Sequence, residues 1–154
     1  MKGNKQVVDY LNKALGNELI AINQFFLHAR MYKNWGLDKL NEAAYKTSIT
    51  AMKDADEIIE RVLFLEGLPN LQKLGKLRIG ENTPEMLQCD LDLSMESAEL
   101  LREVITFSES TSDFVSRDLL EDVLKNKEAL IDWLETQQYL INHIGLENYL
   151  QSMT

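Results

Sequence analysis

The chain has 154 residues, 45% of them apolar, with only seven glycines and two prolines; that suffices for one domain burying about two thirds of its unfolded surface, and excludes both a disordered chain and a turn-rich β-sandwich or barrel. Its 16 Lys/Arg and 25 Asp/Glu leave a formal net charge of −9, split unevenly: residues 1–80 carry 12 basic and 9 acidic side chains, residues 81–154 carry 4 and 16. The second half cannot supply the basic face that nucleic-acid binding needs; it suits cations, or is simply solvated helix surface.

The elements follow in chain order. Over residues 5–34 apolar side chains recur at helical spacing, at Val8, Leu11, Leu15, Leu19, Ile22, Phe26 and Ala29, which predicts a long amphipathic helix with Asn4 as its N-cap. Trp35-Gly36 ends it. A second helix is expected from about Asp38 to Leu65, with Gly67 as C-terminal cap. Residues 67–82 hold Gly67, Pro69, Asn70, Gly75, Gly80 and Asn82 and read as a connection. Thr83-Pro84-Glu85 then reads as N-cap, first-turn proline and first-turn acid. A third helix runs to about Ser110, a fourth from about Ser112 to Ile144, and Gly145 precedes a short fifth helix over Leu146–Ser152. Short links near 36 and 111 make antiparallel hairpins. The long link lets helices two and three run parallel, so the expectation is an all-α, four-helix bundle with one long crossover in a single domain, 1–154.

Cys89 is the lone cysteine, so no disulfide framework arises within the chain and a reducing cytoplasm is expected. Neither a signal peptide nor a membrane-spanning run stands out, so no membrane association is expected.

The core-facing positions are the informative ones. The first helix presents Leu11, Leu15, Glu18, Ile22 and Phe25. The second presents Ala44, Thr47, Ala51, Asp54, Ile58 and Val62. The third presents Leu87, Leu91, Ser94, Ala98, Leu101 and Ile105. The fourth presents Leu120, Val123, Lys127, Leu130, Leu134 and Ile141. Each helix therefore brings one polar residue to mid-bundle: Glu18, Asp54, Ser94 and Lys127. Polar groups are costly to bury unpaired. A di-iron bundle places a Glu on each of two helices and Glu-x-x-His on the other two. This sequence has no Glu-x-x-His; Ala51-x-x-Asp54 and Lys127-x-x-Leu130 stand at that spacing. Two readings compete, a degraded metal site and a buried polar network of Lys127 with two carboxylates; the cost of unpaired buried charge favours the network.

A second apolar surface lies beside this core. Leu19, Ile22, Asn23 and Phe26 share a face of the first helix, and Tyr45, Ile49 and Met52 a face of the second. Such a stripe fits a subunit interface, or an interface that holds a flat hydrophobic cofactor. Met52 is core filler in the first case and a soft haem ligand in the second. His28 and His143 have no ligand partner at helical spacing and read as surface or packed histidines. Trp35 and Trp133 read as packing residues. Glu81 and Glu85, with Leu68, suggest a docking patch near the crossover.

Several stretches then resemble bacterioferritin, the haem-containing branch of the ferritins: Leu15-Gly16-Asn17-Glu18-Leu19, Ala21-Ile22-Asn23-Gln24, Phe26-Leu27-His28, Glu60 through Leu71, Val115-Ser116-Arg117-Asp118 and Gly145 through Leu150. The resemblance covers nearly the whole chain. It implies a ferritin-like bundle and a hollow shell of twenty-four subunits that stores a ferric iron mineral. It implies haem b between subunit pairs, with Met52 matching the family's axial ligand. Leu19, Ile22, Asn23, Phe26, Met31, Tyr45, Ile49 and Lys53 match positions near that haem. In the family, the haem passes electrons from a small iron–sulfur ferredoxin to the mineral, and Leu68, Glu81 and Glu85 match its docking surface. Asn148 and Gln151 match a fourfold pore, and Arg117 and Asp118 a threefold one.

The departures are concentrated. The family's ferroxidase ligands fall at Glu18, Ala51, Asp54, Ser94, Lys127 and Leu130, and only Glu18 keeps its identity. Phe25 replaces a common neighbouring tyrosine, and Lys46 and Thr50 replace groups that bind iron on the inner wall in some members. The expectation is a haem-binding, iron-storing subunit without ferroxidase chemistry of its own, sharing its shell with a ferroxidase-competent sister subunit. The rivals are an active ferroxidase with an atypical site around Glu18 and Asp54, and a scaffold subunit without haem.

Overall fold

Asn4 opens the first helix as expected: its side chain accepts the backbone N–H groups of Gln6 (2.8 Å) and Val7 (3.2 Å). The computed structural model describes residues 1–69 and 75–154, so Asn70, Leu71 and the middle of the long link lie outside the described residues. Helix α1 spans Lys5–Asn34, α2 Asp38–Phe64, α3 Thr83–Ser110, α4 Phe114–Ile144 and α5 Leu146–Ser152. This is the expected bundle of four long helices with a short fifth.

Three of the predicted boundaries shift, each for a local reason. Helix α2 closes with the Gly67 N–H on the Val62 carbonyl (2.9 Å) and the Glu66 N–H on Leu63 (3.0 Å). That six-to-one pattern needs a left-handed residue before its last donor, and Glu66 takes it at φ 61°, not Gly67. Gly67 answers a different constraint: a Cβ there would stand 2.5 Å from Val8 Cγ1. The N-cap of α3 is Asn82, not Thr83; its Oδ1 takes the Glu85 N–H at 3.0 Å, and Thr83 is already helical and buried. Helix α4 is capped by Asp113, because Ser112 is spent on the left-handed turn (φ 61°) that reverses the chain after α3.

Side-chain pairings fix the topology. Tyr10 meets Phe107 (ring centroids 5.2 Å) while His28 meets Asp90, so α1 and α3 are antiparallel. Asp54 meets Asn126 and Arg61 meets Asp113 and Ser116, so α2 and α4 are antiparallel. The three-residue link after α1 makes α2 antiparallel to it, leaving α2 and α3 parallel as expected. Among the described residues α1 neighbours α2 and α3, and α4 neighbours α2 and α3. Helices α1 and α4 therefore face each other across the bundle diagonal.

The core is two apolar clusters. One gathers Leu11, Leu15, Ile58, Val62, Leu101 and Leu120; the other gathers Phe25, Tyr32, Leu40, Met86, Leu93 and Tyr149. The mid-bundle residues Glu18, Asp54, Ser94 and Lys127 belong to neither cluster, and all four are buried. The first-helix pattern resolves into two rows. Val7, Leu11, Leu15, Ala21, Phe25, Ala29 and Tyr32 are buried, whereas Val8, Leu19 and Ile22 are half-buried and Phe26 is exposed.

The left-handed turn yields a direct test. Ser112→Gly relieves a strained φ worth about 1 kcal/mol and should raise the calorimetric unfolding temperature. Ser112→Val should lower it.

Candidate functional site

The mid-bundle layer holds one buried polar side chain from each long helix. Lys127 Nζ donates to Glu18 Oε2 at 2.9 Å, with both side chains buried. The expected network of Lys127 with two carboxylates is thus only partly realised. The Asp54 carboxylate instead accepts from Asn126 Nδ2, at 3.1 and 3.3 Å. Burial, then the Glu18 charge, push its pKa up to about 6, against the pull of the Asn126 hydrogen bond and the Lys127 charge. Ser94 turns away and donates to the Asp90 backbone carbonyl at 2.7 Å. Ala51 and Leu130 offer only hydrocarbon.

These groups do not fit a di-iron centre. The ammonium stands where it satisfies Glu18, and Fe²⁺ at that position would meet like charge in a low-dielectric interior. Among the described residues no three His, Cys, Asp or Glu side chains converge on a point that could hold a metal ion. A hollow between α2 and α4 is lined by Lys46, Thr47, Thr50, Asn126, Leu130 and Trp133, and its lining holds no carboxylate.

The second apolar face is present and open. Met52 is 51% exposed, and Phe26 and Tyr45 are exposed beside it, their rings 6.2 Å apart. Leu19, Ile22, Ile49 and Met31 are half-buried around them, and Asn23 and Lys53 are exposed. Asn23 donates to the Leu19 carbonyl of its own helix at 2.9 Å. An open thioether flanked by aromatic and aliphatic side chains on two adjacent helices fits one half of a flat, apolar, soft-ligated group.

The remaining predicted residues fall at the ends of the bundle. Arg117 pairs with Asp118 at 2.8 Å and with Glu109 at 3.4 Å, its guanidinium 4.9 Å from the Phe114 ring centroid, so the two residues form one charge cluster where α4 begins. Asn148 donates to the Ile144 carbonyl at 2.7 Å. Gln151 lines a hollow with Trp35, Leu37, Pro84, Leu146 and Leu150. Leu68 is 83% exposed just beyond α2. Glu81 and Glu85 sit at the start of α3, where Glu85 Oε2 accepts the Glu81 N–H at 3.0 Å. His143 is exposed and stacks on Tyr139 at 3.8 Å. Trp133 packs half-buried against the core, while Trp35 is exposed.

Sequence reasoning missed one cluster. Gln24, His28 and Asp90 are buried together: Gln24 Nε2 donates to Asp90 Oδ1 at 2.8 Å, and His28 Nδ1 lies 2.9 Å from the same oxygen. Burial raises the Asp90 pKa, while the bonds from His28 and Gln24 pull it back down. Helical spacing sets Gln24 and His28 one turn apart on α1 and Asp90 one turn before Ser94 on α3, but it does not tell that the two rows meet.

Two predictions follow from the mid-bundle layer. Lys127→Met strands a buried carboxylate and should cost about 3 kcal/mol, while adding Glu18→Met should recover most of it; chemical unfolding of both variants reads the difference. For Asp54 the folded pKa lies above the unfolded one, so the native state binds the extra proton and stability falls as pH rises from about 4 to about 6. Asp54→Asn should therefore melt above the wild type at neutral pH, with the gap closing toward about pH 4 in calorimetric scans.

Comparison with known proteins agrees with this architecture. A ferritin-like domain family matches residues 8–144. A bacterioferritin of Rhodobacter capsulatus is 42% identical over 149 residues, covering 97% of this chain and 92% of that protein. A bacterial ferritin of Synechocystis sp. is 44% identical over 153 residues, covering 99% and 98%. A bacterioferritin of Mycobacterium leprae is 40% identical, covering 97% and 94%. With four long helices, a short fifth and full-length likeness of this order, the chain belongs to the bacterioferritins, the iron-storage branch of the ferritin-like family.

Proposed function

We propose that this chain is a haem-binding, iron-storing shell subunit that does not oxidise Fe²⁺ itself and shares a cytoplasmic twenty-four-subunit shell with a ferroxidase-competent sister. The observation that carries the reading is the Lys127–Glu18 pair, 2.9 Å apart and buried at the mid-bundle layer, beside an open Met52 face on α2. The two features separate chemistry that oxidises iron from chemistry that moves electrons. No helix among the described residues is long and apolar enough to cross a membrane.

One haem b would lie between two subunits, held by Met52 from each and packed by Leu19, Ile22, Phe26, Tyr45 and Ile49, with Asn23, Met31 and Lys53 around its rim. When bound through two thioethers, haem supplies a one-electron carrier. The chain's own part is to present an unblocked sulfur and to exclude water with aromatic and branched side chains. Leu68, Glu81 and Glu85 would receive a bacterioferritin-associated ferredoxin, which brings the reducing electrons for release of stored iron. Asn148 and Gln151, and Arg117 with Asp118, would line routes into the cavity.

Two experiments test this. Stopped-flow mixing of Fe²⁺ and O₂ with the pure assembled protein should show no fast saturable phase. Such a phase would favour an atypical ferroxidase built on Glu18 and Asp54, the carboxylate that Lys127 does not bond directly. Separately, Met52→Leu should abolish the haem Soret band while leaving the shell assembled. A wild-type protein without that band, expressed with ample haem, would instead indicate a scaffold whose apolar face is a subunit contact.

A further inference from the structure

We infer that the buried Gln24–His28–Asp90 cluster is a positioning device for the acidic docking edge of Glu81 and Glu85. This rests on the docking reading given above and adds the residues that hold that surface in place.

The described part of the long link before α3, residues 75–80, has no helical or sheet pairing of its own. Its backbone donors must find partners elsewhere. Two of them find the cluster: the Arg78 N–H donates to Gln24 Oε1 at 3.0 Å, and the Gly80 N–H donates to His28 Nε2 at 3.2 Å. The far ends of both side chains converge on one oxygen, Asp90 Oδ1. Every role is then set. The Gly80 N–H makes Nε2 an acceptor, so Nδ1 carries the proton and donates to Asp90. The Arg78 N–H makes the Gln24 oxygen an acceptor, so its amide nitrogen faces Asp90. One carboxylate on α3 thus fixes two side chains on α1, and each presents an acceptor to the link.

The described end of the link is also held closely at Arg78 and Gly80. A Cβ on Gly80 would stand 2.4 Å from the Met86 backbone nitrogen. The Arg78 side chain is tied to both carboxylate oxygens of Glu96, at 2.7 and 2.8 Å. Glu81 comes next, its N–H on Glu85 Oε2, while the Glu85 N–H is held by Asn82 Oδ1. The place of Gly80 therefore sets the place of both acids. A hydrocarbon filling would serve packing alone at lower desolvation cost; a fully satisfied polar network adds a unique position. The partner such an edge fits is a small electron carrier with a basic face, and Gln24, His28 and Asp90 act on it only through the link.

The experiment uses the assembled protein and the bacterioferritin-associated ferredoxin, with affinity measured by calorimetry and amide exchange read at residues 78–81. His28→Leu should release those amides and weaken ferredoxin binding by about tenfold, while haem reduction by dithionite stays unchanged. His28→Gln, which keeps one donor and one acceptor, should restore both. Gln24→Met removes the Arg78 acceptor and one of the two donors to Asp90, leaves the Gly80–His28 bond in place, and serves where His28→Leu does not fold. Unchanged affinity in a variant with released amides overturns the proposal, and so do amides that stay protected. A wild-type protein that does not bind the ferredoxin overturns the docking reading itself, and this inference with it.

Discussion

The bond from Lys127 to Glu18 crosses the bundle diagonally, joining two helices that are not otherwise neighbours. Each ion costs several kcal/mol to desolvate, and their attraction repays that only while both are present. The pair adds little net stability over a hydrocarbon filling, yet neither partner can be lost alone. It makes the middle of the bundle self-neutralising without a metal. The apolar clusters can then close on a layer that brings its own cation. Asp54 shows how narrow that solution is: held by Asn126 instead of Lys127, it has a pKa pushed up to about 6 by burial and by Glu18.

That constraint shows how a bundle can close on a mid-layer with few acids. A ferritin-like centre stripped of acids would leave a hole or a stranded charge. Here Ala51 and Leu130 contribute hydrocarbon, Ser94 satisfies itself on the Asp90 carbonyl, and Lys127 reaches the one retained glutamate. The outward faces do not depend on these exchanges. Met52, Tyr45 and Phe26 point away from the core on α1 and α2, so a haem-holding face is compatible with either kind of centre. The acidity of the second half accords with storage and passage of iron through a shell. The mid-bundle layer gives no support to oxidation by this chain.

Much of this was legible because the helices are long and strongly periodic. The four stripes placed Glu18, Asp54, Ser94 and Lys127 at one level, and all four are buried there. Boundaries were harder. Glu66 and Ser112 occupy left-handed positions that sequence rules assign to glycine, because the reversal of each chain segment outweighs a modest backbone cost. The double row on α1 was blurred for a related reason: a 3.6-residue period lets Leu11 and Leu19 seem to share one stripe while facing different surroundings. The Gln24–His28–Asp90 cluster was invisible because its partners lie more than 50 residues apart and include backbone N–H groups of an irregular link. No spacing rule reports such a contact.

On the proposed function, the ammonium of Lys127 stands where the family's two irons would lie. Crystals of the assembled, haem-loaded protein, soaked in Fe²⁺ and measured at the iron edge, decide whether it does. An anomalous peak is expected at the haem between paired Met52 residues and none within ligand distance of Glu18, with Lys127 still bonded to that carboxylate. A peak beside Glu18 and Asp54, with the Lys127 side chain displaced, would contradict it.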